Sequence, residues 1–254
     1  MVLDLFKLTD KNALVTGSSK GLGAGIAVAL AEAGANLVLH GRQNQEINEV
    51  RNSVLETGVK AHHFMGDISD PKVCDDLVAF AIGELGSIDI LVNNAGIIRR
   101  APAADFSTRD WDEVIEINLN AVFRLCQLAG RHMLSNGRGK IINIASLLAF
   151  QGGVFVPAYA AAKGAVAQLT KALANAWAGK GINVNAIAPG YMATDNTASL
   201  RADAQRNRQI LERIPAGRWG TPHDLAGTAV FLASAASDYV NGHVLVVDGG
   251  WMAR

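Results

Sequence analysis

Short apolar runs alternate with longer helical patterns along this chain, and the alternation limits the possible folds more than any other feature. Most of the short runs are continuously apolar, as expected of strands that are covered on both faces. Strands that alternate with helices form right-handed β-α-β units in a parallel sheet. We therefore predict an α/β fold with one doubly wound parallel sheet, in a single domain that spans residues 1–254.

Seven runs are candidate strands and six segments are candidate helices. The strands are predicted at Ala13–Thr16, Asn36–His40, Lys60–Met65, Ile88–Val92, Lys140–Ala145, Asn183–Ala186 and His243–Val247. The helices are predicted near 21–33, 43–57, 71–85, 108–135, 158–179 and 222–234. One long irregular piece, 188–221, has a polar, helical middle at Thr197–Ile214, and we expect a substrate lid at about 190–220.

Composition and charge exclude several functions. Lys plus Arg balances Asp plus Glu, so the formal net charge is zero and nucleic acid is an unexpected partner. Cys74 and Cys126 have no metal-ligand spacing and the histidines form no ligand cluster, so we expect buried thiols, a cytoplasmic protein and no metal. The N-terminus has no signal-peptide pattern, and the uncharged stretch from Ile141 to Ala162 is predicted to be a buried strand and an active-site loop rather than a membrane span.

A glycine-rich turn lies between the first predicted strand and the first predicted helix. It runs Thr16-Gly17-Ser18-Ser19-Lys20-Gly21-Leu22-Gly23. Glycines at such a turn let the backbone approach a diphosphate, which then lies at the helix N-terminus. The sequence therefore predicts a dinucleotide site at the carboxyl end of the first strand.

The end of the second strand bears on the choice between NAD(H) and NADP(H). A free ribose 2′-hydroxyl usually meets an acid there, but this chain has His40-Gly41-Arg42. Arg42 can instead pair with a 2′-phosphate, with Lys20 adding a second positive charge. The residues alone favour NADP(H), unless Arg42 is only a solvated cation of the loop.

Tyr159 and Lys163 lie four residues apart in a predicted helix, so their side chains share a face with Cβ atoms about 6 Å apart. An unperturbed phenol has a pKa near ~10, which hinders proton exchange at neutral pH. A cation at that distance, at an effective dielectric constant of about 20, lowers this pKa by about two units. The pair is a candidate for general acid–base chemistry, although the same spacing also occurs on helix surfaces.

Several motifs together resemble those of the short-chain dehydrogenase/reductase family. They occur in the family's order over nearly the whole chain: Thr16-Gly17-x-x-x-Gly21-x-Gly23, Asn93-Asn94-Ala95-Gly96, Asn118, Ser146, Tyr159-x-x-x-Lys163 and Pro189-Gly190. The resemblance implies a Rossmann-type domain of about seven strands, a nicotinamide cofactor and usually a homotetramer.

The resemblance also implies roles for individual residues. Tyr159 would exchange the proton with the substrate oxygen, Lys163 would lower its pKa, and Ser146 would donate a hydrogen bond to the same oxygen. Asn118 would hold a water that links Lys163 to solvent, which requires a kink in the helical region 108–135. Asn93 would lie on the adenosine ribose side, and Ile187 would flank the nicotinamide. The expected cofactor contacts are Gly17, Ser19, Lys20, Gly21, Leu22, Gly23, Arg42, Asp67, Ile68, Asn94, Ala95, Gly96, Tyr159, Lys163, Pro189, Gly190 and Thr194.

An arginine pair, Arg99-Arg100, follows the Asn-Asn-Ala-Gly turn and suggests a substrate carboxylate, unless both are merely exposed cations. Gln151 and Tyr191 can add contacts to hydroxyl groups, and Ser146 and Tyr159 complete the predicted substrate site. Four segments outside the catalytic group, 96–100, 188–194, 213–220 and 247–254, resemble those of the family's sugar-acid dehydrogenases. This resemblance implies reversible oxidation of a deoxy-ketogluconate, usually with NAD(H). Gluconate 5-dehydrogenase, 3-oxoacyl-thioester reductase and a dinucleotide-binding sensor without enzymatic activity are the alternatives.

Overall fold

The computed structural model describes all residues from Met1 to Arg254 and contains one sheet of seven parallel strands. The strands are β1 (Asn12–Val15), β2 (Asn36–Gly41), β3 (Ala61–Met65), β4 (Ile90–Asn93), β5 (Gly139–Ile144), β6 (Ile182–Pro189) and β7 (Val244–Val247). Their order in the sheet is β3-β2-β1-β4-β5-β6-β7, and every neighbouring pair is parallel. The predicted α/β class and doubly wound sheet are confirmed.

Nine α-helices surround the sheet. They are α1 (Gly21–Glu32), α2 (Asn44–Leu55), α3 (Pro71–Leu85), α4 (Thr108–Ile115), α5 (Ala121–Asn136), α6 (Pro157–Trp177), α7 (Ala198–Ala202), α8 (Ala204–Arg213) and α9 (Ala226–Ala233). Most predicted boundaries agree within two residues. The predicted helix 108–135 is interrupted by a π-helical turn at Glu116–Asn120, and the predicted helix 222–234 begins as a 3-10 turn at Pro222–Leu225.

Local sequence signals explain several helix ends. The Asp70 side chain accepts a hydrogen bond from the backbone N–H of Lys72 at 2.8 Å, and Pro71 occupies the first position of α3. Gly34, just after α1, has φ +105°, the backbone conformation that ends a helix and that a side chain disfavours. These signals fix where the chain turns back toward the next strand.

Two large clusters of similar size, with 23 and 21 buried residues, form most of the core. The first includes Ile26 and Leu30 of α1 together with Leu232 of α9, and the second includes Leu77 of α3 and Leu125 of α5. The sheet is therefore covered on both faces, which explains why its strands read as continuous apolar runs. None of the helices combines the length and the apolar character that crossing a membrane requires.

The segment predicted to be a lid, about 190–220, contains α7 and α8. Its polar middle, Thr197–Ile214, is largely helical, as predicted from the sequence. It follows β6, which extends to Pro189 rather than ending at Ala186, so the segment starts at the carboxyl edge of the sheet. Its role as a lid stays a prediction.

Candidate active site

A cleft of about 460 Å³ opens at the carboxyl edge of the sheet. Its walls come from the segments after β1, β2, β3 and β4, from α6, and from the start of the segment after β6. In the strand order, β1 lies between β2 and β4, so the chain crosses to opposite sides of β1. Ligands of open α/β sheets bind at such a reversal.

The glycine turn forms the floor of the cleft at one end. Gly17 has φ +61°, and a Cβ there would lie 2.7 Å from Cα of Ala95, so only glycine fits. A Cβ on Gly23 would lie 2.3 Å from the carbonyl oxygen of Gly17. The side-chain amide of Asn94 donates to the carbonyl oxygens of Thr16 at 3.0 Å and Gly17 at 2.9 Å, which holds the turn against β4.

The first turn of α1 starts at Gly21, and Lys20 precedes it without any side-chain cap on the helix. The backbone N–H groups of the first turn of α1 are therefore available to an anion, such as the diphosphate of a dinucleotide. Ser19, Lys20, Gly21 and Leu22 all line the cleft. The residues of this turn fit a nicotinamide dinucleotide.

Arg42 and Asp67 lie near the outer end of the cleft, with an Arg42 nitrogen 3.5 Å from a carboxylate oxygen of Asp67. Partial burial raises the pKa of Asp67, but hydrogen bonds from Ser69 and the positive charge of Arg42 outweigh it, so the pKa is lowered. Both side chains keep about half of their surface exposed, at 62% and 47%. The Arg42 guanidinium is therefore able to exchange this open ion pair for another anion.

Tyr159 and Lys163 lie on the first two turns of α6 and face the same part of the cleft. The Lys163 ammonium is 5.6 Å from the centre of the Tyr159 ring and donates a 2.6 Å hydrogen bond to the carbonyl oxygen of Ile144. Lys163 is buried, and this burial lowers its pKa to about 8. The predicted proximity of phenol and ammonium is confirmed.

The expected pKa of Tyr159 is wrong for this structure. Burial raises the pKa of the phenol, while hydrogen bonding with the Ser146 hydroxyl and the positive charge of Arg100 only partly offset it. The Coulomb argument assumed a permanently charged Lys163 and neglected desolvation of the phenol. Burial of Lys163, which that argument also neglected, lowers the pKa of its ammonium to about 8.

Ser146 follows β5 and caps the short 3-10 turn Leu147–Ala149. Its hydroxyl oxygen accepts a hydrogen bond from the backbone N–H of Leu148 at 3.2 Å. Its O–H remains free to donate toward Tyr159 and any oxygen placed beside it. The structure thus brings Ser146, Tyr159 and Lys163 together.

Asn118 lies in the π-helical turn between α4 and α5, so the interruption expected in this helical region is confirmed. Its side chain accepts a hydrogen bond from the N–H of Ile97 and donates one to the carbonyl oxygen of Ile97, both at 2.8 Å. The side chain of Asn118 therefore fixes the loop after β4. The expected role of Asn118 in holding a water stays a prediction.

The two arginines after β4 have different surroundings. The Arg99 guanidinium forms a two-point ion pair with Glu113 of α4, at 3.0 and 2.8 Å. Arg100 is exposed, donates to the carbonyl oxygen of Asn196 at 3.1 Å, and is near enough to Tyr159 to influence its pKa. Arg99 lines the cleft but is held by Glu113, whereas Arg100 lies outside the set of residues that line the cleft. The expectation that these arginines bind a carboxylate stays a prediction.

Gln151 and Tyr191 belong to an aromatic cluster rather than to the cleft itself. The side-chain oxygen of Gln151 accepts a 3.4 Å hydrogen bond from the indole of Trp251. The Tyr191 ring packs against Trp251 at 4.5 Å and Trp219 at 5.6 Å between ring centres. Leu147, next to Ser146, packs in the same cluster, so the cluster adjoins the turn that carries Ser146.

Other predicted contacts lie outside the cleft. Asn93 points into the core, where its amide donates to Asn143 at 2.9 Å, and Ile187 is fully buried. Neither side chain faces the cleft, and their expected roles beside the cofactor stay predictions. Pro189 is buried in β6, and a Cβ on Gly190 would lie 2.6 Å from Cα of Asp248. Of the three expected cofactor contacts Pro189, Gly190 and Thr194, only Thr194 lines the cleft.

The start of the segment after β6 touches both ends of the cleft. Asp195 places a carboxylate oxygen 3.1 Å from the Lys20 ammonium, and the carbonyl oxygen of Asn196 accepts the hydrogen bond from Arg100. These two residues were missed by sequence reasoning, although they directly follow Thr194. The cleft residues that the predictions missed are His40, Gly41, Ile97, Ile98, Ile117, Ile144, Asp195 and Asn196.

The predicted cofactor residues Gly17, Ser19, Lys20, Gly21, Leu22, Arg42, Asp67, Ile68, Asn94, Ala95, Gly96, Tyr159, Lys163 and Thr194 all line the cleft. Gly23 lies beneath it as packing for the glycine turn. No three or more His, Cys, Asp or Glu side chains are grouped so as to hold a metal ion. The arrangement suits proton exchange at an oxygen placed beside a bound dinucleotide.

Comparisons with known proteins point the same way. A family model described as enoyl-(acyl carrier protein) reductase matches residues 17–252. A 2-dehydro-3-deoxy-D-gluconate 5-dehydrogenase of Bacillus subtilis is 57% identical over 251 residues, which cover 99% of this chain and 98% of the relative.

Solved structures give the same picture. The structure of a proposed 2-deoxy-D-gluconate 3-dehydrogenase of Agrobacterium tumefaciens with bound NADP is 54% identical, with a TM-score of 0.92, and the match covers 99% of this chain and 100% of that one. A gluconate 5-dehydrogenase of Burkholderia cenocepacia in complex with NADP and tartrate is 42% identical, with a TM-score of 0.95 and 100% of both chains covered.

Proposed function

Because the chain belongs to the short-chain dehydrogenase/reductase family, we propose that it transfers a hydride between a nicotinamide cofactor and a secondary hydroxyl or ketone of a sugar acid. The preferred substrate is 2-dehydro-3-deoxy-D-gluconate or 2-deoxy-D-gluconate. One observation carries the proposal: a single cleft joins the glycine turn at one end to Tyr159 and Lys163 at the other. The relatives named for these sugar acids support the substrate class.

The residues of the chain divide the chemistry among themselves. The nicotinamide, when bound, supplies or accepts the hydride. Tyr159 exchanges the proton with the substrate oxygen, and Ser146 donates a hydrogen bond to that oxygen, which stabilises the charge that develops on it. Lys163, whose pKa is about 8, takes up or releases a proton near neutral pH beside the phenol.

We propose NADP(H) rather than NAD(H) as the preferred cofactor. Arg42 and Lys20 line the cleft, and both are more than half exposed and able to pair with a 2′-phosphate. No acid occupies the position directly after β2, where a free 2′-hydroxyl would be bound. The two NADP-bound relatives support this choice over the NAD(H) expected from the sugar-acid subgroup.

The cofactor preference is testable by titrating both cofactors against the wild type and Arg42→Ala. We expect the variant to lose affinity for NADPH about tenfold or more, because a charge-assisted pair is lost, and to bind NADH unchanged. Arg51→Ala is the matched control, since Arg51 bonds the carbonyl oxygen of Ala61 and does not line the cleft. Equal loss for both cofactors would reject the 2′-phosphate role of Arg42.

We propose that Arg100 binds the substrate carboxylate. Its guanidinium is exposed, and its only hydrogen bond is to a main-chain carbonyl, which a carboxylate can displace. Its charge already acts on Tyr159, so a carboxylate held there would place the sugar acid beside the phenol. Gln151 and Tyr191 are proposed to contact hydroxyl groups farther along the substrate.

Gluconate 5-dehydrogenase activity is the second candidate. The 42% identical relative binds tartrate, a hydroxylated dicarboxylate, together with NADP. The same arginine and the same phenol would serve gluconate, because it presents a carboxylate and secondary hydroxyls at similar separations. 2-Deoxy-D-gluconate differs from gluconate by one missing hydroxyl, and 2-dehydro-3-deoxy-D-gluconate differs by a missing hydroxyl and a ketone.

A panel of sugar acids, oxidised with NAD and with NADP separately and followed by nicotinamide absorbance, tests the function. We expect turnover of a deoxygluconate or its keto acid, and its loss in Tyr159→Phe without loss of cofactor affinity. Faster turnover of gluconate would favour the second candidate, and turnover of a 3-oxoacyl thioester alone would favour a thioester reductase. Cofactor binding with no turnover of any of these would indicate a sensor.

We further propose that the protein works as a homotetramer in the cytoplasm. Trp111 on α4 and Phe123 on α5 are 40% and 44% exposed, and such aromatic side chains on neighbouring helices suit a subunit interface. Both cysteines are unpaired, which suits a reducing compartment. Sedimentation velocity should give four times the 26.7-kDa chain mass, and a monomer at micromolar concentration would contradict this.

A further inference from the structure

A buried histidine joins two walls of the cleft. His40, in β2, is 2% exposed and lines the cleft, but its ring makes no contact that sequence reasoning anticipated. One ring nitrogen, Nδ1, lies 3.3 Å from the backbone nitrogen of Gly17, and the other, Nε2, lies 3.1 Å from the carbonyl oxygen of Gly66. The imidazole thus connects the glycine turn with the turn that leads to Asp67.

These two contacts define the state of the ring. The N–H of Gly17 can only donate, so Nδ1 must be the acceptor and carry no hydrogen. The hydrogen then lies on Nε2, which donates to the carbonyl oxygen of Gly66. Burial favours this neutral form by lowering the pKa of His40 to about 4. Both ends of a neutral ring are therefore satisfied at any pH near neutrality.

The contacts lie where the adenosine half of a dinucleotide would bind. Gly17 begins the turn that faces the diphosphate, and Gly66 directly precedes Asp67 at the opposite wall. The backbone N–H and O–H of Ser18 also bond the carbonyl oxygen of His40, at 2.9 and 3.4 Å. The main chain of His40 thus secures β2 to the glycine turn, and its side chain sets the distance from that turn to the Asp67 wall.

We propose that His40 is a positioning residue for the adenosine half of the cofactor, holding the glycine turn and the Asp67 turn at the separation that the cofactor requires. The inference rests on the proposed function, because it presupposes a nicotinamide dinucleotide in this cleft. It assigns no contact between His40 and the substrate, so the hydride step itself is unaffected once cofactor is bound.

The test measures dissociation constants for NADPH and for 2′-phospho-ADP-ribose, a probe that contains only the adenosine half and the diphosphate. His40→Leu, which removes both hydrogen bonds at similar volume, is expected to weaken both ligands about tenfold, because the N–H of Gly17 is left without a partner. The loss of affinity for both ligands should exceed any change in the turnover number at saturating NADP or in the KM for the sugar acid. His63→Leu, on β3 and outside the cleft, is the control and should bind both ligands normally.

Two further variants separate positioning from general stability and guard against a misfolded leucine variant. His40→Asn places an amide near the position of Nδ1 and should recover much of the lost affinity, while His40→Gln reaches toward Gly66 instead. Unchanged affinity in all three variants would overturn the inference, as would a loss of turnover and melting temperature that parallels the loss of affinity. If the wild type itself binds neither NADPH nor NADH, the proposed function fails, and that result is distinct from a wild type that binds while the His40 variants bind equally well.

Discussion

Lys163 has a buried ammonium group, and its surroundings disfavour the charged form. The ammonium has one hydrogen bond, to a main-chain carbonyl, and no carboxylate forms an ion pair with it. Burial alone lowers its pKa from the ordinary 10.5 to about 8. The folded protein therefore releases a proton that the unfolded chain still holds between these two values.

Stability should consequently depend on pH through Lys163. Between pH 8 and 10.5 the unfolded state binds more protons at this site, so the free energy of unfolding should rise with pH across that window. Chemical denaturation of the wild type and of Lys163→Met at several pH values isolates the contribution as a difference. A difference that is flat, or that falls as the pH rises, would show that the folded pKa of Lys163 is not lowered.

The two neighbouring arginines should differ in effect. Arg100→Ala should raise the KM for a sugar acid by about tenfold or more, because a charge-assisted contact to the carboxylate is lost, and should leave a neutral polyol nearly unaffected. Arg99→Ala is the matched control, since its guanidinium is held by Glu113. Steady-state kinetics on both substrates would contradict the assignment if Arg99→Ala raised the KM as much as Arg100→Ala.

Sequence reasoning placed Tyr159, Lys163 and Ser146 correctly because their proximity depends on helix spacing and on a strand end. It failed where a side chain's partner is distant in sequence. The spacing could not reveal that Glu113 occupies Arg99, or that both polar atoms of the Asn118 amide bind Ile97. It also missed His40, because its two partners come from separate loops.

At the scale of elements, the loop between β5 and α6 contains an unusual residue. Phe155 has φ +65°, a left-handed backbone conformation that costs residues other than glycine about 1–2 kcal/mol. In this conformation its carbonyl oxygen accepts a 3.1 Å hydrogen bond from the N–H of Ala101. The bond connects the loop that precedes Tyr159 to the loop that carries Arg100.

Two substitutions at Phe155 should separate backbone conformation from side chain, since both remove the aromatic ring. Phe155→Gly tolerates a positive φ, whereas the β-branched Phe155→Ile strongly disfavours it. We expect the isoleucine variant to be less stable by about 1 kcal/mol and to have a kcat/KM for the sugar acid several-fold below that of the glycine variant. Cofactor affinity should be the same in both. Equal kinetics in the two variants would mean that this left-handed turn does not position Arg100.

The helical region 108–135 shows which features of secondary structure can be predicted from the sequence. Its periodicity predicted one helix with an interruption, and the structure contains α4, a π-helical turn and α5. The interruption could be expected only through the family resemblance at Asn118, because the local composition contains no glycine or proline there. The polar pattern of 197–214 predicted its helical character, but not the contacts that Asp195 and Asn196 make with Lys20 and Arg100.

At the scale of the whole molecule, the candidate active site and a set of structural hydrogen bonds lie at opposite edges of the sheet. The cleft lies at the carboxyl ends of the strands. At the amino ends, Asp89 is nearly buried and accepts hydrogen bonds from the N–H of Asn12 at 3.1 Å, the hydroxyl of Ser87 at 3.3 Å and the guanidinium of Arg138 at 3.0 Å. The alternation of strands and helices predicted a parallel sheet, but it leaves the order of strands open and so could not place Asp89 between β1 and β5.

Substitutions of two aspartates at opposite edges of the sheet should therefore affect different properties of the protein. Asp89→Ala should lower the free energy of unfolding by about 1–3 kcal/mol, because it removes the acceptor of three partly buried hydrogen bonds, and should not change kcat/KM well below the melting temperature. Asp67→Ala, in the cleft and half exposed, should weaken cofactor binding with little loss of stability. Denaturant titrations and cofactor titrations of both variants measure the two quantities, and a similar profile in both variants would refute the separation.

The contacts that Asp195 and Asn196 make with Lys20 and Arg100 have a consequence for how ligands arrive. The carboxylate of Asp195 and the carbonyl oxygen of Asn196 contact these two cations and weaken the positive potential at the entrance of the cleft. Capture is then an exchange of partners rather than a long-range attraction, and its rate should vary little with ionic strength. The cofactor alone should therefore displace Asp195 from Lys20, and the hydrogen bond between Arg100 and Asn196 should remain until the substrate carboxylate binds.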